Sequence, residues 1–424
     1  MERLNVIASH LSMSEKRGMA TSEVAGSVKL FSFNPDDIVV VAALRTPIGK
    51  SRRGVFKDTH GDDLLSQAFN GVLKSVNIRP DEIGDICVGN VNDARASVTA
   101  RFAQFFSGIP HTVPVSAVNR QCGSGLQAFM NIAGGIKNKA YPLGLAGGFE
   151  MMSKSGMGGK GFDDMNPRIM DVKEAKDSLI PMGLTSEIVA ERYGVSREVQ
   201  DRFSMDSHKK AAAATKNGHF KAEIIPVTVE VEDMEGNRRT ITVTEDEGIR
   251  GNTTMEVLAK LKPAFKQGGT TTAGNSSQTS DGAAAVLVAS REEAKRRGLP
   301  ILGTLRAFAV VGVAPDEMGV GPAAAIPQAL KMAGLTIDDI DVYEINEAFA
   351  SQAAYCVRKL GIPSEKVNPK GGAVAFGHPL GATGARMIAT LLHELQRRGK
   401  RSLGVVSMCM GTGMGAAAIF EYNP

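Results

Sequence analysis

The chain has 424 residues, of which 43% are hydrophobic and 22% charged, and its formal net charge at pH 7 is +4. This length predicts two or three globular domains, and the interspersed charges exclude a basic face that would bind nucleic acid non-specifically. No apolar run approaches the roughly 18 residues of a membrane span, and the four cysteines contain no CxxC pair, which favours a reducing compartment over a disulfide framework.

The first 35 residues are predicted to lie outside the fold, because they are poor in large apolar side chains and precede the first convincing strand. They also lack the hydrophobic stretch of a secretory signal. The sequence RLNVIASHL, Arg3 to Leu11, resembles the N-terminal type of peroxisomal import signal: Arg-Leu, five residues, then His-Leu. We therefore expect a leader read by a peroxisomal import receptor. A disordered tail is the alternative, and a mitochondrial presequence is disfavoured by the acidic residues of the segment.

Strands and helices alternate from Asp37 onward. Apolar runs predict strands at Asp37–Leu44, Asp85–Val91 and Leu143–Gly148, with helices at Asp62–Val76 and from Ala100 to Phe106. Apolar strands joined by helices predict an α/β fold with a largely parallel sheet that is covered on both faces.

The stretch Val113–Ile136 contains a cysteine at a predicted strand-to-helix corner. An alternating apolar run leads into a polar, glycine-rich turn at Asn119–Gly125, and a helical apolar period follows. Cys122 would meet unpaired N–H groups and the positive end of the helix dipole, a setting that lowers a thiol pKa and can hold an oxyanion. A small buried residue at a crowded corner is the alternative interpretation, and this stretch alone does not decide between them.

The composition changes after this α/β half. Met151–Met170 is rich in Met, Gly and Lys and suits either an adaptable acyl-chain surface or a plain loop. Helices and polar strands then alternate to Gly274, which predicts an inserted domain over the mouth of the active site. The expected division is a leader at 1–35, an N-terminal half at 36–152 and 276–300, a loop domain at 153–275, and a C-terminal half at 301–424.

The second half repeats the pattern of the first. The glycine-rich turn in Val367–Ala385 leads into a helix, as the turn around Cys122 does, and Leu403–Cys409 and Ala416–Tyr422 predict a hairpin. A duplicated α/β unit would place the two turns at equivalent corners. Cys87 and Cys356 fall within apolar strand and helix patterns and are predicted to be core residues.

Three glycine-rich turns carry reactive groups: Cys122, His378 and Cys409. His378 lies between glycine and proline and belongs to no amphipathic element, so it is predicted to face a cavity. Five other histidines are predicted to lie on polar loops or solvated helix faces and are assigned no role: His60, His111, His208, His219 and His393. A thiol beside an imidazole is an activated nucleophile, Cys409 could move a proton, and the N–H of Gly411 could pair with that of Cys122. Zinc binding is the alternative, but no two ligands are closely spaced, and no metal is expected.

The motifs NRQCGSG, NEAFA, GHPLGATGAR and CMGTGMG together resemble the thiolase family, and the resemblance extends from about Asp37 to Tyr422. It implies the thiolase fold, in which two similar mixed-sheet halves stack as α-β-α-β-α layers with an inserted loop domain. It also implies an oligomer, here expected to be a homodimer, that uses coenzyme A as a substrate and needs no other cofactor.

The resemblance assigns roles to individual residues. Cys122 matches the acylated nucleophile, His378 the residue that activates it, and Cys409 the acid/base. Asn346 matches the residue that holds an oxyanion water and forms one oxyanion hole with His378, and the amides of Cys122 and Gly411 match the other. Positions that contact coenzyme A in relatives correspond to Arg250, Ser277 and Met182, whereas Pro181 stands where some biosynthetic relatives have a histidine.

The implied activity is thiolytic cleavage of 3-oxoacyl-CoA, the last step of fatty-acid β-oxidation, in the peroxisome. The leader and the Met- and Gly-rich stretch favour this degradative activity over its main alternative, a short-chain enzyme that forms acetoacetyl-CoA. A condensing enzyme for carrier-protein substrates is disfavoured because such relatives usually have a Cys-His-His or Cys-His-Asn set, whereas this chain has a second cysteine in that set. A non-catalytic acyl-CoA or lipid carrier is disfavoured because all four reactive positions are present: Cys122, His378, Asn346 and Cys409.

Overall fold

The computed structural model describes residues 32–155, 165–232 and 236–424. The import-type sequence Arg3–Leu11 and residues 156–164 of the Met- and Gly-rich stretch lie outside these residues. The elements up to residue 155 are β1 (Ile38–Arg45), β2 (Gly49–Lys50), α1 (Gly61–Ser75), β3 (Ile86–Gly89), α2 (Ala96–Phe106), β4 (Val115–Val118), α3 (Ser124–Lys137), β5 (Leu143–Met151) and α4 (Met152–Ser155).

The remaining elements fall into a middle segment and a second α/β half. The middle segment contains α5 (Lys173–Asp177), α6 (Met182–Arg192), α7 (Arg197–Lys216), β6 (Val227–Glu232), β7 (Arg238–Val243) and α8 (Met255–Ala259). The second half contains β8 (Ser280–Ser290), α9 (Arg291–Arg296), β9 (Gly303–Gly312), α10 (Gly321–Ala333), β10 (Val342–Ile345), α11 (Ala350–Leu360), α12 (Ala373–Phe376), α13 (Leu380–Arg398), β11 (Ser402–Met410) and β12 (Met414–Tyr422).

Within the described residues, ten strands form one mixed sheet in the order β10-β11-β12-β9-β1-β8-β5-β3-β4, with β2 beside β8. Among the described strands, only β3/β4, β3/β5 and β10/β11 pair in parallel. The prediction of a largely parallel sheet from the residues was therefore wrong. The error arose because strand β8 was not recognised: it is rich in alanine, which has a weak β propensity. This strand pairs antiparallel with β1 and β5.

The two halves have the same topology, as the duplication predicted. In the first half the order is β4-β3-β5-β8-β1. In the second half it is Val367, β10, β11, β12, β9, with Val367 making a parallel bridge to Tyr343. Each half thus has parallel strands at its outer edge and antiparallel strands toward β1 and β9, where the halves meet.

Helices α3 and α13 hold equivalent places in the two halves and pack against each other in the largest core cluster. They touch backbone to backbone: a Cβ on Gly125 would lie 2.6 Å from the carbonyl oxygen of Gly381, and one on Gly384 would collide with the amide of Leu126. This contact brings the turns before the two helices, which contain Cys122 and His378, to the same region.

Buried charges fasten the middle segment to both halves. The Glu223 carboxylate is fully buried, with Arg45 of β1 at 2.8 Å and Lys370 of the second half at 2.8 Å. Arg45 also pairs with Asp246 at 2.7 Å. Among the described residues, no helix has both the length and the apolar character needed to cross a membrane.

Replacing Glu223 by Gln is expected to lower the free energy of unfolding by about 3–5 kcal/mol, because it leaves the buried Lys370 cation without its partner. Urea denaturation followed by circular dichroism measures the change. Glu198→Gln, which removes an exposed ion pair with Arg202, is the control and should change stability far less. Equal losses of unfolding free energy in the two variants would contradict the assignment of Glu223 as the stabilising partner of Lys370.

The same carboxylate makes stability depend on pH. Burial alone would raise the pKa of Glu223, but Lys370 and Arg45 outweigh it and lower the pKa to about 2. Because the folded value lies below the unfolded value of about 4.3, the contribution is complete above about pH 5 and is lost as the pH falls toward 2. The Glu223→Gln variant should therefore lose less stability on acidification than the unsubstituted protein.

Candidate active site

Cys122 lies in a tight turn immediately before α3. Gln121 has a left-handed backbone (φ 49°), and the Ser124 hydroxyl accepts the N–H of Arg120 at 2.9 Å, which closes the turn. The backbone N–H of Gly411 lies near the Cys122 sulfur, where it lowers the pKa of the thiol. A Cβ at Gly123 would collide with the Met410 side chain, so the absence of a side chain there lets the turn approach the end of β11.

The thiol of Cys122 is not acidic in the resting protein. Burial raises its pKa to about 11, the Glu150 charge adds to this, and the Gly411 N–H acts in the opposite direction. The prediction of a lowered pKa was therefore wrong. Cys122 precedes the first residue of α3 by two positions, and its sulfur packs against the central apolar cluster, so desolvation outweighs the helix end. The thiol consequently needs a base.

His378 is fixed by three hydrogen bonds in a buried turn that begins at Gly377, whose φ of 111° suits glycine. Its backbone N–H donates to the Gln278 carbonyl at 3.1 Å, and its Nδ1 lies 2.7 Å from the Thr383 hydroxyl. Its Nε2 lies 3.3 Å from Nδ2 of Asn346. Because the Asn346 amide donates, Nε2 is the acceptor and Nδ1 carries the proton.

The imidazole is neutral and available as a base. Burial lowers the pKa of His378 to about 3, and the nearby Arg386 cation acts in the same direction. Asn346 follows β10 directly, and its buried Oδ1 has no hydrogen-bond partner among the described residues. A buried acceptor without a partner can hold a water molecule, since leaving it unsatisfied costs about 1–3 kcal/mol.

Cys409 is the next-to-last residue of β11 and is fully buried. Burial raises its pKa well above the ordinary value, and the nearby Cys122 raises it further. Its sulfur lies 3.5 Å from Oε1 of Gln352 on α11 and donates to it. Cys409 therefore stays protonated at neutral pH and can act as an acid.

The three residues expected to contact coenzyme A lie in different parts of the fold. Met182, the first residue of α6, packs in the cluster that contains Cys409. Ser277 donates its N–H to the carbonyl of Ala348 at 3.0 Å, which places it between the Asn346 and His378 segments. Arg250 has an exposed side chain, and its N–H donates to Nδ1 of His208 at 3.2 Å.

His208 is a correction to the sequence analysis, which placed it on a solvated helix face. It is buried and accepts the Arg250 amide. Sequence analysis also missed Thr383, Gln352 and Glu150. Thr383 could have been suggested by its place within GHPLGATGAR, one turn of helix after His378, but the partners of Gln352 and Glu150 come from distant parts of the chain. Among the described residues, no His, Cys, Asp or Glu side chains cluster so as to hold a metal ion.

This fold and this set of turns are those of a thiolase. The family model described as "Thiolase, N-terminal domain" matches residues 38–292, and "Thiolase, C-terminal domain" matches residues 299–422. The chain therefore belongs to the thiolase family, whose members are acyltransferases.

Two similar proteins within this family match the whole chain. The chain is 60% identical over 423 residues to mouse peroxisomal 3-ketoacyl-CoA thiolase A, covering 100% of this chain and 99% of the mouse protein. It is 60% identical over 428 residues to human peroxisomal 3-ketoacyl-CoA thiolase, with 100% and 99% covered.

Solved structures share the fold. The dimeric peroxisomal thiolase of Saccharomyces cerevisiae has a TM-score of 0.86 and 46% identity, covering 92% of this chain and 99% of the yeast chain. Human mitochondrial 3-ketoacyl-CoA thiolase in complex with CoA has a TM-score of 0.81 and 36% identity, covering 92% of this chain and 98% of the human chain. The thiolase fold that the motifs implied is thus confirmed.

Proposed function

We propose that this protein is a peroxisomal 3-ketoacyl-CoA thiolase, which cleaves 3-oxoacyl-CoA with CoA to acetyl-CoA and a shortened acyl-CoA in the last step of fatty-acid β-oxidation. The observation that carries the proposal is the close approach of the helices that follow Cys122 and His378, at Gly125 and Gly381. Cys409 lies near Cys122, and Asn346 lies beside His378, so the two pairs flank this contact. The identity to peroxisomal 3-ketoacyl-CoA thiolases over the whole chain supports both the substrate class and the compartment.

In the first half-reaction, Cys122 passes its proton to Nε2 of His378 and its sulfur bonds to the C3 carbonyl carbon. The oxyanion at C3 is held by the N–H groups of Cys122 and Gly411, since the latter already reaches the sulfur. The C2–C3 bond then breaks and its electron pair moves to C2, forming the enolate of acetyl-CoA. Cys409 protonates C2, and acyl-Cys122 remains.

In the second half-reaction, the Cys409 thiolate takes the proton of the incoming CoA thiol. The CoA sulfur then attacks the acyl-Cys122 carbonyl, and Cys122 leaves and recovers its proton from His378. The enolate oxygen of the first step is held by His378 and by a water on the free Oδ1 of Asn346. Because a thioester is exchanged for another thioester, the acyl-enzyme and the product have similar energies.

We propose that residues 153–275 form the loop domain that binds coenzyme A and the acyl chain, with 36–152 and 276–300 as the first half and 301–424 as the second. Arg250 is exposed and would serve a phosphate group. Ser277 would contact the pantetheine near the His378 turn, and Met182 would line the channel beside Cys409. Residues 1–35 would be the leader for the peroxisomal import receptor, which a reporter fusion of this segment tests.

Thiolysis measured across 3-ketoacyl-CoA chain lengths tests the proposed function. We expect CoA-dependent cleavage of medium or long chains and an acyl adduct on Cys122 by mass spectrometry. Activity confined to acetoacetyl-CoA would favour the short-chain enzyme, and the absence of both turnover and adduct would favour a carrier.

We further propose that the protein is a homodimer that associates through β4 and α2. Strand β4 is at the edge of the sheet, and α2 packs beside it. An open strand edge next to an apolar helix face suits association with a second copy. Exposed apolar side chains of α2 are Val98, Phe102, Phe105 and Phe106.

The double variant Phe102→Glu/Phe106→Glu is expected to be mainly monomeric at micromolar concentration, because it would bury two charges in the interface. Light scattering coupled to size-exclusion chromatography measures the mass. Met332→Glu, at an exposed apolar residue of α10, is the control and should leave the dimer intact. If the double variant is still a dimer, the interface does not include this face of α2.

A further inference from the structure

Glu150 is a buried carboxylate that the proposed mechanism does not use. It is the next-to-last residue of β5 and has no solvent exposure. Its oxygens accept the backbone N–H groups of Gly381 at 2.9 Å and of Val91 and Asn92 at 3.1 Å each. It thus joins the loop after β3 to the first turn of α13, which follows His378.

The bond to Gly381 supplies a cap that α13 otherwise lacks. The residue before the helix is Pro379, and no side chain of the local sequence caps the helix. The first N–H groups of a helix need acceptors, and a negative charge there is favourable. Glu150, from the other half of the molecule, satisfies one of them. A Cβ at Gly381 would collide with the backbone at Asn90 and Phe149, which shows how closely the helix end is seated.

The internal duplication makes Glu150 the counterpart of Cys409. Both are next-to-last residues of nine-residue strands, and their partners across the antiparallel pair are Gly282 and Gly415. Each lies at the N-terminal end of the central helix from the opposite half. Cys409 lies beside the Cys122 turn that begins α3, and Glu150 beside the turn that begins α13.

We propose that Glu150 is a positioning residue of the thiolase reaction: by capping α13 it fixes the His378 turn relative to the Cys122 turn. The inference rests on the proposed function, because the reacting thiol and imidazole belong to it. The two equivalent places have diverged: one holds the proton-transferring Cys409, and the other holds a carboxylate that anchors the base.

The charge of Glu150 also reaches Cys122. The carboxylate raises the thiol pKa of Cys122, and burial raises the pKa of Glu150 itself to about 7, with Asp93 adding to the shift and the three N–H groups opposing it. The first turn of α13 contains no acidic residue. The titratable and charged groups around Glu150 are Cys122 and Asp93 and, lining the adjacent cavity, His60, Asp62, Arg95 and Lys154.

Glu150→Gln separates positioning from charge. The amide removes the negative charge but turns a donor toward backbone N–H groups, so the His378 turn should shift. We expect kcat to fall about 10- to 100-fold with KM for both substrates nearly unchanged. The pH at which iodoacetamide alkylates Cys122 half-maximally should fall at the same time, because a repelling charge has gone. Slower turnover by a more easily ionised thiol is a result that simple destabilisation would not give.

Asp281→Asn is the matched control. Asp281 is also a buried carboxylate that accepts a backbone N–H, that of Ser153 at 2.9 Å, and it lies opposite Met151 on β8. It should lose similar stability and keep kcat. Equal kcat in the two variants, or a lower kcat in Glu150→Gln with unchanged alkylation, would overturn the proposal.

A second variant covers the case in which Glu150→Gln does not fold. Glu150→Asp keeps the charge but withdraws it from the Gly381 N–H, so kcat should fall without an easier alkylation of Cys122; an unchanged kcat would overturn the proposal. The unsubstituted protein separates this inference from the proposed function. If it does not cleave 3-ketoacyl-CoA, the function is wrong; if it does and Glu150→Gln matches it, only the role of Glu150 is wrong.

Discussion

The Cys122→Ala variant is expected to fold normally and to lose thiolysis completely. The sulfur is the atom that bonds to the acyl carbon, and no other thiol can replace it, because Cys409 is fully buried and strongly protonated. Removing one sulfur from a partly exposed turn leaves little cavity and little strain. Steady-state thiolysis and intact-protein mass spectrometry after incubation with substrate measure the two effects.

Cys87→Ala is the control for this experiment. Cys87 is a buried thiol on β3 that accepts the Asn131 amide at 3.5 Å, and its substitution removes a sulfur without touching the three turns. It should keep both turnover and the acyl adduct. An adduct in Cys122→Ala at any other residue would contradict the assignment of the nucleophile.

The Cys409→Ser variant is expected to retain the acyl-transfer step from acetyl-CoA to Cys122 and to lose proton transfer at carbon. A serine hydroxyl fits the same space and can still donate to Gln352, but it ionises far less readily than a thiol. General acid–base catalysis contributes about 10²- to 10⁴-fold, and turnover should fall by that factor. Exchange of the α-protons of acetyl-CoA in deuterated water measures the lost step.

Acylation of Cys122, measured as a rapid burst of CoA release, distinguishes this loss from general damage and should persist in Cys409→Ser. Cys356→Ser gives the matched control, since Cys356 is equally buried but lies on α11 with its sulfur 3.4 Å from the Gly319 carbonyl. Normal α-proton exchange in Cys409→Ser would remove Cys409 from the mechanism.

The local geometry of the site's turns could be predicted from sequence because it is carried by short motifs whose structure is nearly independent of the rest of the chain. The turn before α3 closes through Ser124 and Arg120, which are neighbours in sequence. The duplication was predictable for the same reason: the turns at Cys122 and His378 both follow a Val-Asn pair and lead into a helix. The assignments of Arg250, Ser277 and Met182 came only from the family resemblance. These and the roles of Cys122, His378, Cys409, Asn346 and Gly411 remain predictions.

Properties that depend on burial could not be predicted in this way. The sequence places Cys122 before a helix, but only the fold shows that this half-buried residue packs against the central cluster, where desolvation outweighs the helix end. The sheet was predicted to be too parallel because the small residues of β8 carry little β signal. Glu150 was missed because its partners, Val91 and Gly381, are distant in the chain.

The contact between α3 and α13 has a consequence for how this catalyst tolerates change. Where two helices touch through glycine, main-chain atoms set their separation, and the surrounding side chains can be exchanged without altering it. The backbone contacts at Gly125 and Gly384 therefore keep the distance between nucleophile and base constant when other core residues are substituted. Conversely, a single methyl group at either glycine would push the two helices apart and so separate the turns that carry Cys122 and His378.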